Sequence, residues 1–365
     1  MKVAFLGDIA LFGVYSKKNN NFLLSQIAEI SNYLQRFDLV VGNLESPFSQ
    51  NKKTKGAKSA YVCSDIENVE ILKILNIGVV TLANNHMFDY GTEGYSTTIE
   101  TLNKAGIHWF GTEGKTLEIV KENNRLLFSG YCCYSTNPLR LIENNRSVGV
   151  NTYNVETIKK DLIFAKNNGY LPILAAHVGL EHVNYPSLDH IRAARQFADV
   201  CPYLYYGHHP HVIQGVEEYK GALIAHSLGN FCFDDVYANP TDKEPLIKLS
   251  EQNRTGMILE VDIDNNQVVD WKEQMIYIGR DGVLSLLADD GRLFEYNKEL
   301  ACCEDFLDEY ICRRKEILDA ILAQRKSMRN FTWILKRLRP RYLKLFLDMR
   351  KNAKLYQKNV KQYLS

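Results

Sequence analysis

The chain predicts an α/β fold, and three observations carry that prediction. Apolar runs rich in β-branched residues alternate with helical patterns through the first 230 residues. Strands that alternate with helices build a largely parallel sheet covered on both faces. The composition, 45% hydrophobic and 24% charged over 365 residues, is that of a folded globular protein. It excludes collagen-like, mucin-like and wholly disordered chains. Beyond about Arg280 the pattern turns helical and increasingly basic. The expected organisation is therefore a body over 1–280 and a helical basic extension over 281–365.

Each element has its own signal. Residues 3–6 read as a buried strand ending at Gly7-Asp8. Leu23, Ile27, Ile30 and Leu34 recur at the spacing of one helix face, which predicts a helix over 22–37. Strands follow at 39–41 and 79–82, with helices at 67–75 and at 94–105, the latter closed by Gly106. Further strands are expected at 125–131, 171–176 and 204–206, and further helices at 155–167 and 188–200. Residues 212–217, 222–227, 256–263 and 267–276 read as neighbouring strands, the last two joined through the hairpin turn Asp264-Asn265-Asn266. The sequence has no internal repeat, and residues 52–58 are its nearest approach to a mobile loop.

The eight cysteines include the adjacent pairs Cys132-Cys133 and Cys302-Cys303 but no Cys-x-x-Cys, the usage expected of reduced thiols. No apolar run approaches the roughly 18 residues that a spanning helix needs, and the N-terminus lacks the pattern of a signal peptide. A cytoplasmic location is the expectation. Phosphate-loop, dinucleotide-binding and serine-hydrolase motifs are missing, so those chemistries lack support.

In open α/β sheets, ligands bind beyond the carboxyl ends of the strands. Here that edge collects Asp8, then Asn43 and Glu45, then Asn84-Asn85-His86, then His177, then His208-His209-Pro210-His211. One Asp after a strand is ordinarily a helix cap, one His a structural residue, and Asn-Asn a turn. Five successive strand ends that all deliver carboxylate, amide or imidazole point instead to a metal site.

The order and spacing of these groups resemble the calcineurin-like metallophosphoesterases, and most closely their capsule-synthesis CapA-like branch. The matching stretches are Gly7-Asp8, Asn43-Leu44-Glu45-Ser46-Pro47, Asn84-Asn85-His86-Met87-Phe88-Asp89-Tyr90-Gly91, His177-Val178-Gly179-Leu180-Glu181, Gly207-His208-His209-Pro210-His211 and Ser227-Leu228-Gly229-Asn230-Phe231. The resemblance implies a four-layer α/β/β/α sandwich with a groove holding two divalent metals, Mn, Zn or Fe. It implies Asp8 as ligand of one metal, Asn85 and His177 as ligands of the other, and His209 and His211 divided between them. It also implies that the pair clamps a phosphate-like group of a small-molecule or glycan substrate and activates water for in-line attack. His86 takes the role of the charge-stabilising or proton-donating His, with Asp89 placed to fix its tautomer. Glu181 is expected to position substrate or serve as an acid–base group, and His208 and His226 to line the substrate pocket.

Two positions depart from the superfamily pattern. Asp-x-His reads Asp8-Ile9-Ala10, and the bridging Asp is replaced by Asn43, which is still expected among the metal ligands although its neutral amide bridges two cations poorly, with Glu45 placed to supply the missing carboxylate. Asn230 and Asp234 are expected to brace the metal loops. His182 and His190 read as surface residues, and Arg192 and Arg195 as a solvated helix face or an anion site. The implied activity is a metal-dependent hydrolase of phosphate esters or diesters in capsule or surface-polysaccharide synthesis. The alternatives are poly-γ-glutamate-type capsule chemistry on an amide or acyl phosphate, and a non-catalytic polymer-binding assembly protein.

The net charge of +1 conceals an asymmetry. Residues 313–365 hold 16 Lys and Arg against Glu316, Asp319 and Asp348, which leaves the remainder of the chain acidic. Phe331, Ile334, Leu335, Leu338, Tyr342, Leu345, Phe346 and Met349 recur at helical spacing among these cations, and Pro340 divides the run into two amphipathic segments. Peripheral contact with an anionic membrane is one expectation, each cation near the surface being worth ~1 kcal/mol. Packing on the body or on a second subunit of a homo-oligomer is the other. Nothing in the tail indicates nucleic-acid readout.

Overall fold

The computed structural model describes residues 1–50, 60–136, 149–237, 243–288, 290–327 and 340–364. Two sheets form its centre. The first contains β1 (Lys2–Ile9), β2 (Leu39–Leu44), β3 (Ile77–Thr81) and β4 (His108–Phe110), all parallel. On the other side of β1 lie β12 (Thr255–Asp264), β13 (Gln267–Ile278) and β14 (Leu284–Leu286), which are antiparallel in succession. The short β11 (Asn230–Cys232) pairs with the last residues of β1. The second sheet runs β5 (Leu117–Lys121), β6 (Asn124–Cys132), β7 (Leu171–His177), β8 (Leu204–His208), β10 (Ala222–Ala225) and β9 (Val216–Tyr219), with β6, β7, β8 and β10 parallel.

Three apolar layers separate and cover these sheets. Phe5, Val41, Val79 and Leu259 of the first sheet pack against Phe128, Ile173, Leu204 and Tyr206 of the second. The outer face of the first sheet meets the helices Ala28–Leu34, Val69–Ile74 and Gly91–Ala105 through Ile30, Leu72 and Leu102. The outer face of the second meets Val155–Asn167 and Leu188–Ala198 through Ile158, Leu162 and Phe197. The result is an α/β/β/α sandwich of four layers. Sequence periodicity finds most of the elements but not their division into two sheets, because the central strands are apolar on both faces and show no alternation.

Local differences have local causes. The helix expected over 22–37 breaks at Ile27 into Leu23–Gln26 and Ala28–Leu34. The strand expected over 212–217 begins only at Val216. The hairpin turn holds, with Asn265 and Asn266 both at positive φ (49° and 62°), the left-handed geometry that a tight two-residue turn requires. Sheet pairing continues past Arg280 as far as Leu286 before the helices Arg292–Ala301, Leu307–Ser327 and Pro340–Asn359 follow. Pro340 opens the last of these, the first-turn position that tolerates its missing N–H. Residues 52–58, and Phe331, Ile334, Leu335 and Leu338 of the amphipathic run, lie outside the described residues. All eight cysteines are free thiols. Among the described residues, no helix is long and apolar enough to cross a membrane.

His190 is not a surface residue. It lies on the buried stripe of its helix with Ala194 and Phe197, 96% inaccessible, its ring between Tyr153 and Tyr356. Burial lowers its pKa to about 4, with Asp189 pulling the other way. A folded-state value below the ordinary 6.5 means that the neutral ring is favoured, so its contribution is complete above about pH 6.5 and is lost as pH falls toward 4. We expect urea unfolding to show up to ~3 kcal/mol of stability lost over that interval on this account, and His190→Leu to flatten that part of the profile.

Gly207 serves a close approach of two backbones. A Cβ there would stand 1.8 Å from the carbonyl oxygen of His226, a backbone atom that cannot swing aside. Gly207→Ala should cost ~3 kcal/mol or more by overpacking. Gly78→Ala, where a Cβ meets only Leu39 Cδ1 at 3.8 Å, should stay within ~1 kcal/mol in the same urea titration.

Candidate metal centre

The site forms where the carboxyl ends of both sheets converge, and strand parity decides what enters it. On β7, Ile173 and Ala175 face the inter-sheet core, so His177 two residues on faces the same way. On β8, Leu204 and Tyr206 do so, and His208 continues their row. Strict alternation would turn Asp8 toward the helices. However, Leu6 and Ile9, an odd number apart, both face the helix-side core, so the irregularity in the ladder between Phe5 and Asp8 re-aims the carboxylate. Asp8 then stands in register with Asn43 on β2 and Asn230 on β11.

After β8 the chain holds two non-glycine residues at positive φ, His209 (95°) and His211 (56°). Such conformations persist only when surroundings over-determine them. Here the His209 N–H donates to Asp8 Oδ2 (3.2 Å), Asn253 Nδ2 donates to the His211 carbonyl (2.9 Å), and His211 Nδ1 lies 2.9 Å from Asn230 Oδ1.

Asp8 is fully buried at the centre. It accepts from Asn43 Nδ2 at 2.7 Å, and Nδ1 of His208 and of His211 lie 3.3 and 3.2 Å from its oxygens. Burial opposes its charge, yet the two imidazoles hold its pKa well below the usual carboxylate range. Glu45, also fully buried, places Oε1 3.8 Å from Nε2 of each of His86, His177 and His211. Asn85 Oδ1 lies 3.0 Å from His177 Nε2. His86 Nδ1 lies 2.7 Å from Asp89 Oδ2, which also accepts the Val62 N–H.

These residues fit a divalent cation. Ligand atoms of Asp8, Glu45 and His211 all lie within 4.8 Å of one another. Atoms that share an ion at about 2.0–2.2 Å sit about 3 Å apart, the separation of Asn85 Oδ1 and His177 Nε2. Burial lowers the pKa of His177 well below 6.5 and that of His209 to about 3, so both rings are neutral with a lone pair to give. Among the described residues, Nδ1 of His209 is buried with no hydrogen-bond partner, as a ligand nitrogen is before its ion arrives. His211 goes the other way: burial resists its charge, but Glu45, Asp8 and Glu181 raise its pKa to about 10, so its protonated ring balances the carboxylates. The mixed imidazole, carboxylate and amide donors do not select one metal.

Asn43 lies in this cluster as a brace. Its Nδ2 donates to Asp8, and its Oδ1 accepts from Asn84 Nδ2 at 3.1 Å, so its oxygen is turned from the centre. Glu181 lies at the rim, where Arg325 of the C-terminal extension donates to it at 2.9 Å. Burial works against its charge, but His209, His211, His182 and Arg325 bring its pKa down to about 2. Asn230 holds His211, and Asp234 accepts the Val14 N–H at 2.9 Å.

Two substrate expectations are corrected. His208 is wholly buried, its ring edge-on to Tyr206 in the inter-sheet core, so it supports Asp8 from beneath. His226 follows β10, where Ala222 and Ile224 face the outer core, and the same parity carries it away from the centre to Glu217 (3.1 Å). Glu217 also pairs with Arg195 at 2.7 Å, so Arg195 is neither solvated nor open to an anion, while Arg192 pairs with Glu304 at the surface. His182 is braced by Asn253 Nδ2 at 2.8 Å rather than lying free at the surface. Asn84 enters the strand-end set with Asn85 and His86, and its role here is to hold Asn43; Asn253 and Arg325 have no local signal in the sequence.

A family model described as bacterial capsule synthesis protein PGA_cap matches residues 2–235, a span that contains every centre residue named above except Asn253 and Arg325. The chain belongs to this family. Two similar proteins are the PGA biosynthesis protein CapA of Bacillus subtilis (strain 168) and the capsule biosynthesis protein CapA of Bacillus anthracis. The first is 26% identical over 72% of this chain and 71% of its own length, the second 30% identical over 64% and 59%. Among solved structures, the 5′-nucleotidase of Candida albicans SC5314 overlaps 87% of this chain and 57% of its own at 14% identity and a TM-score of 0.43. The PGA_cap match ends at residue 235, so β12–β14 and the basic extension lie beyond it.

Metal binding to the native state alone should raise stability by ~2.7 kcal/mol at a hundredfold excess over Kd. Differential scanning of chelator-treated protein with added Mn or Zn should therefore show an upward shift in Tm. Asp8→Ala and His209→Ala should abolish that shift.

Proposed function

We propose that the chain is a metal-dependent hydrolase of phosphate esters or diesters in bacterial capsule or surface-polysaccharide synthesis. The observation that carries the reading is the buried convergence of Asp8, Glu45 and His211 beside the neutral imidazoles of His177 and His209. Asp8, Glu45, Asn85, His177, His209 and His211 would hold the metal. A bound divalent cation supplies Lewis-acid polarisation of a phosphoryl oxygen and lowers the pKa of water.

The chain's own residues supply the rest. Asp89, 2.7 Å from His86 Nδ1, fixes the ring so that Nε2 points toward the centre, within 3.8 Å of Glu45. In its protonated form, which the Asp89 carboxylate on Nδ1 favours, His86 is thereby placed to give the Nε2 proton to the leaving oxygen, the contribution of a positioned general acid. Glu181 and His182 stand at the rim, where they orient the substrate beyond the scissile group.

Membership in PGA_cap supports the pathway and favours a second reading, in which the same centre acts on an amide or acyl phosphate of a capsule polymer. A screen of the metal-supplemented protein separates the two. Its substrates are aryl phosphates, sugar phosphates, nucleotide-sugars, phosphodiesters and γ-glutamyl amides. Turnover of a phosphate substrate, abolished by His177→Ala and Asn85→Ala, is expected. His86→Ala should lower kcat by about 10²–10⁴-fold while leaving metal content unchanged. Turnover of the amide alone would favour the second reading. Bound metal with polymer binding but no turnover of any substrate would instead make the protein a binding factor.

A further inference from the structure

The helix Pro340–Asn359 has two faces with different fates. Tyr342, Leu345, Asp348, Leu355 and Tyr356 are partly covered, and Leu355 and Tyr356 pack on the apolar cores of the body. Tyr356 donates to Asp189 at 2.9 Å, Asn154 Nδ2 donates to Asn359 at 3.2 Å, and Val360 just beyond is fully buried. The extension is therefore anchored to the body at its far end.

The other face is open. Leu343, Phe346, Leu347 and Met349 are each more than half exposed, and the guanidinium of Arg350 stands 5.5 Å from the Phe346 ring centroid. Lys344, Arg350, Lys351, Lys354 and Lys358 are exposed around and beyond this patch, and the helix's one acidic residue, Asp348, belongs to the partly covered side. Four large apolar side chains flanked by cations, with no exposed acid on the same helix, form the pattern of a helix lying in a headgroup layer. The apolar groups enter the acyl boundary while the long cationic chains reach phosphates. A polar or cationic protein surface would not cover the apolar groups, and nucleic acid would leave them wet.

We propose that this face docks the protein peripherally on a bilayer of anionic phospholipid. The charge asymmetry orients it, since the body outside 313–365 is acidic and is repelled by the surface that attracts the tail. The docking brings one particular edge of the body near the lipid. Asp189 lies at the N-terminus of the helix that follows β7, the strand that carries His177, Asn154 caps the helix that follows the neighbouring β6, and Arg325 of the same extension reaches Glu181 at the rim of the centre.

Flotation of the full chain with vesicles tests the proposal without reference to any activity. With 70:30 phosphatidylcholine–phosphatidylglycerol vesicles at low salt, the chain should float, and with phosphatidylcholine alone it should not. Raising salt to about 0.5 M should weaken binding. The triple variants Leu343→Ser/Phe346→Ser/Leu347→Ser and Lys344→Glu/Lys351→Glu/Lys354→Glu should each lose at least tenfold in apparent affinity. All six positions are exposed, so far-UV circular dichroism and Tm should match the parent. Equal flotation with neutral and anionic vesicles, or unchanged binding by both variants, would overturn the proposal. So would light scattering that shows a dimer dissociated by the apolar variant, because the face would then belong to a second copy.

Discussion

Asp8 is a carboxylate with no access to water at the point where two sheets meet, and much of the body is arranged around keeping it charged. An isolated ionised carboxylate in that position would be prohibitively unfavourable. Donors therefore reach it from β2 and from the loop after β8, and the imidazoles of His208 and His211 stand 3.3 and 3.2 Å from its oxygens. Each partner is itself held: Asn43 by Asn84, His211 by Asn230 and Asn253. The buried polar groups form one connected set in which removing a member strands its neighbours, the circumstance in which polar networks are most costly to break.

Glycine makes this arrangement sterically possible. A Cβ on Gly7, the residue before Asp8, would fall 2.1 Å from the Gly229 carbonyl oxygen, and one on Gly207, the residue before His208, would fall 1.8 Å from that of His226. The backbone from His226 to Gly229 thus runs against the strand ends that present the central carboxylate and imidazoles. Where substitution would ordinarily be read as a loss of backbone freedom, here it is a loss of contact distance between the segments that build the centre.

The excess of buried carboxylate over fixed cation is the feature that would favour added positive charge in the pocket. Asp8 and Glu45 are both inaccessible, and His211 is the imidazole whose protonation answers them. A divalent ion would replace that proton and satisfy His209 Nδ1 together with it. The basic extension reaches the same edge through Arg325 and Glu181. The two opposed charge distributions of the chain thus meet at the mouth of the centre.

Sequence alone determined where most of the strands and helices lie and which residue types stand at the strand ends, because hydrophobic periodicity and turn chemistry are local. That was enough to name Asp8, Glu45, Asn85, His86, Asp89, His177, His209 and His211, which the fold draws into one cluster. It could not separate His208 and His226 from a substrate role or place His190 inside, since a central strand with two apolar faces hides its parity and a buried His looks like an exposed one. Tertiary structure decided those fates through the irregularity that turns Asp8 inward, the crossing permitted by Gly7 and Gly207, and contacts with segments far along the chain. Asn253 and Arg325 are the plainest cases: each reaches the centre only through long-range packing, for which no nearby residue carries a signal.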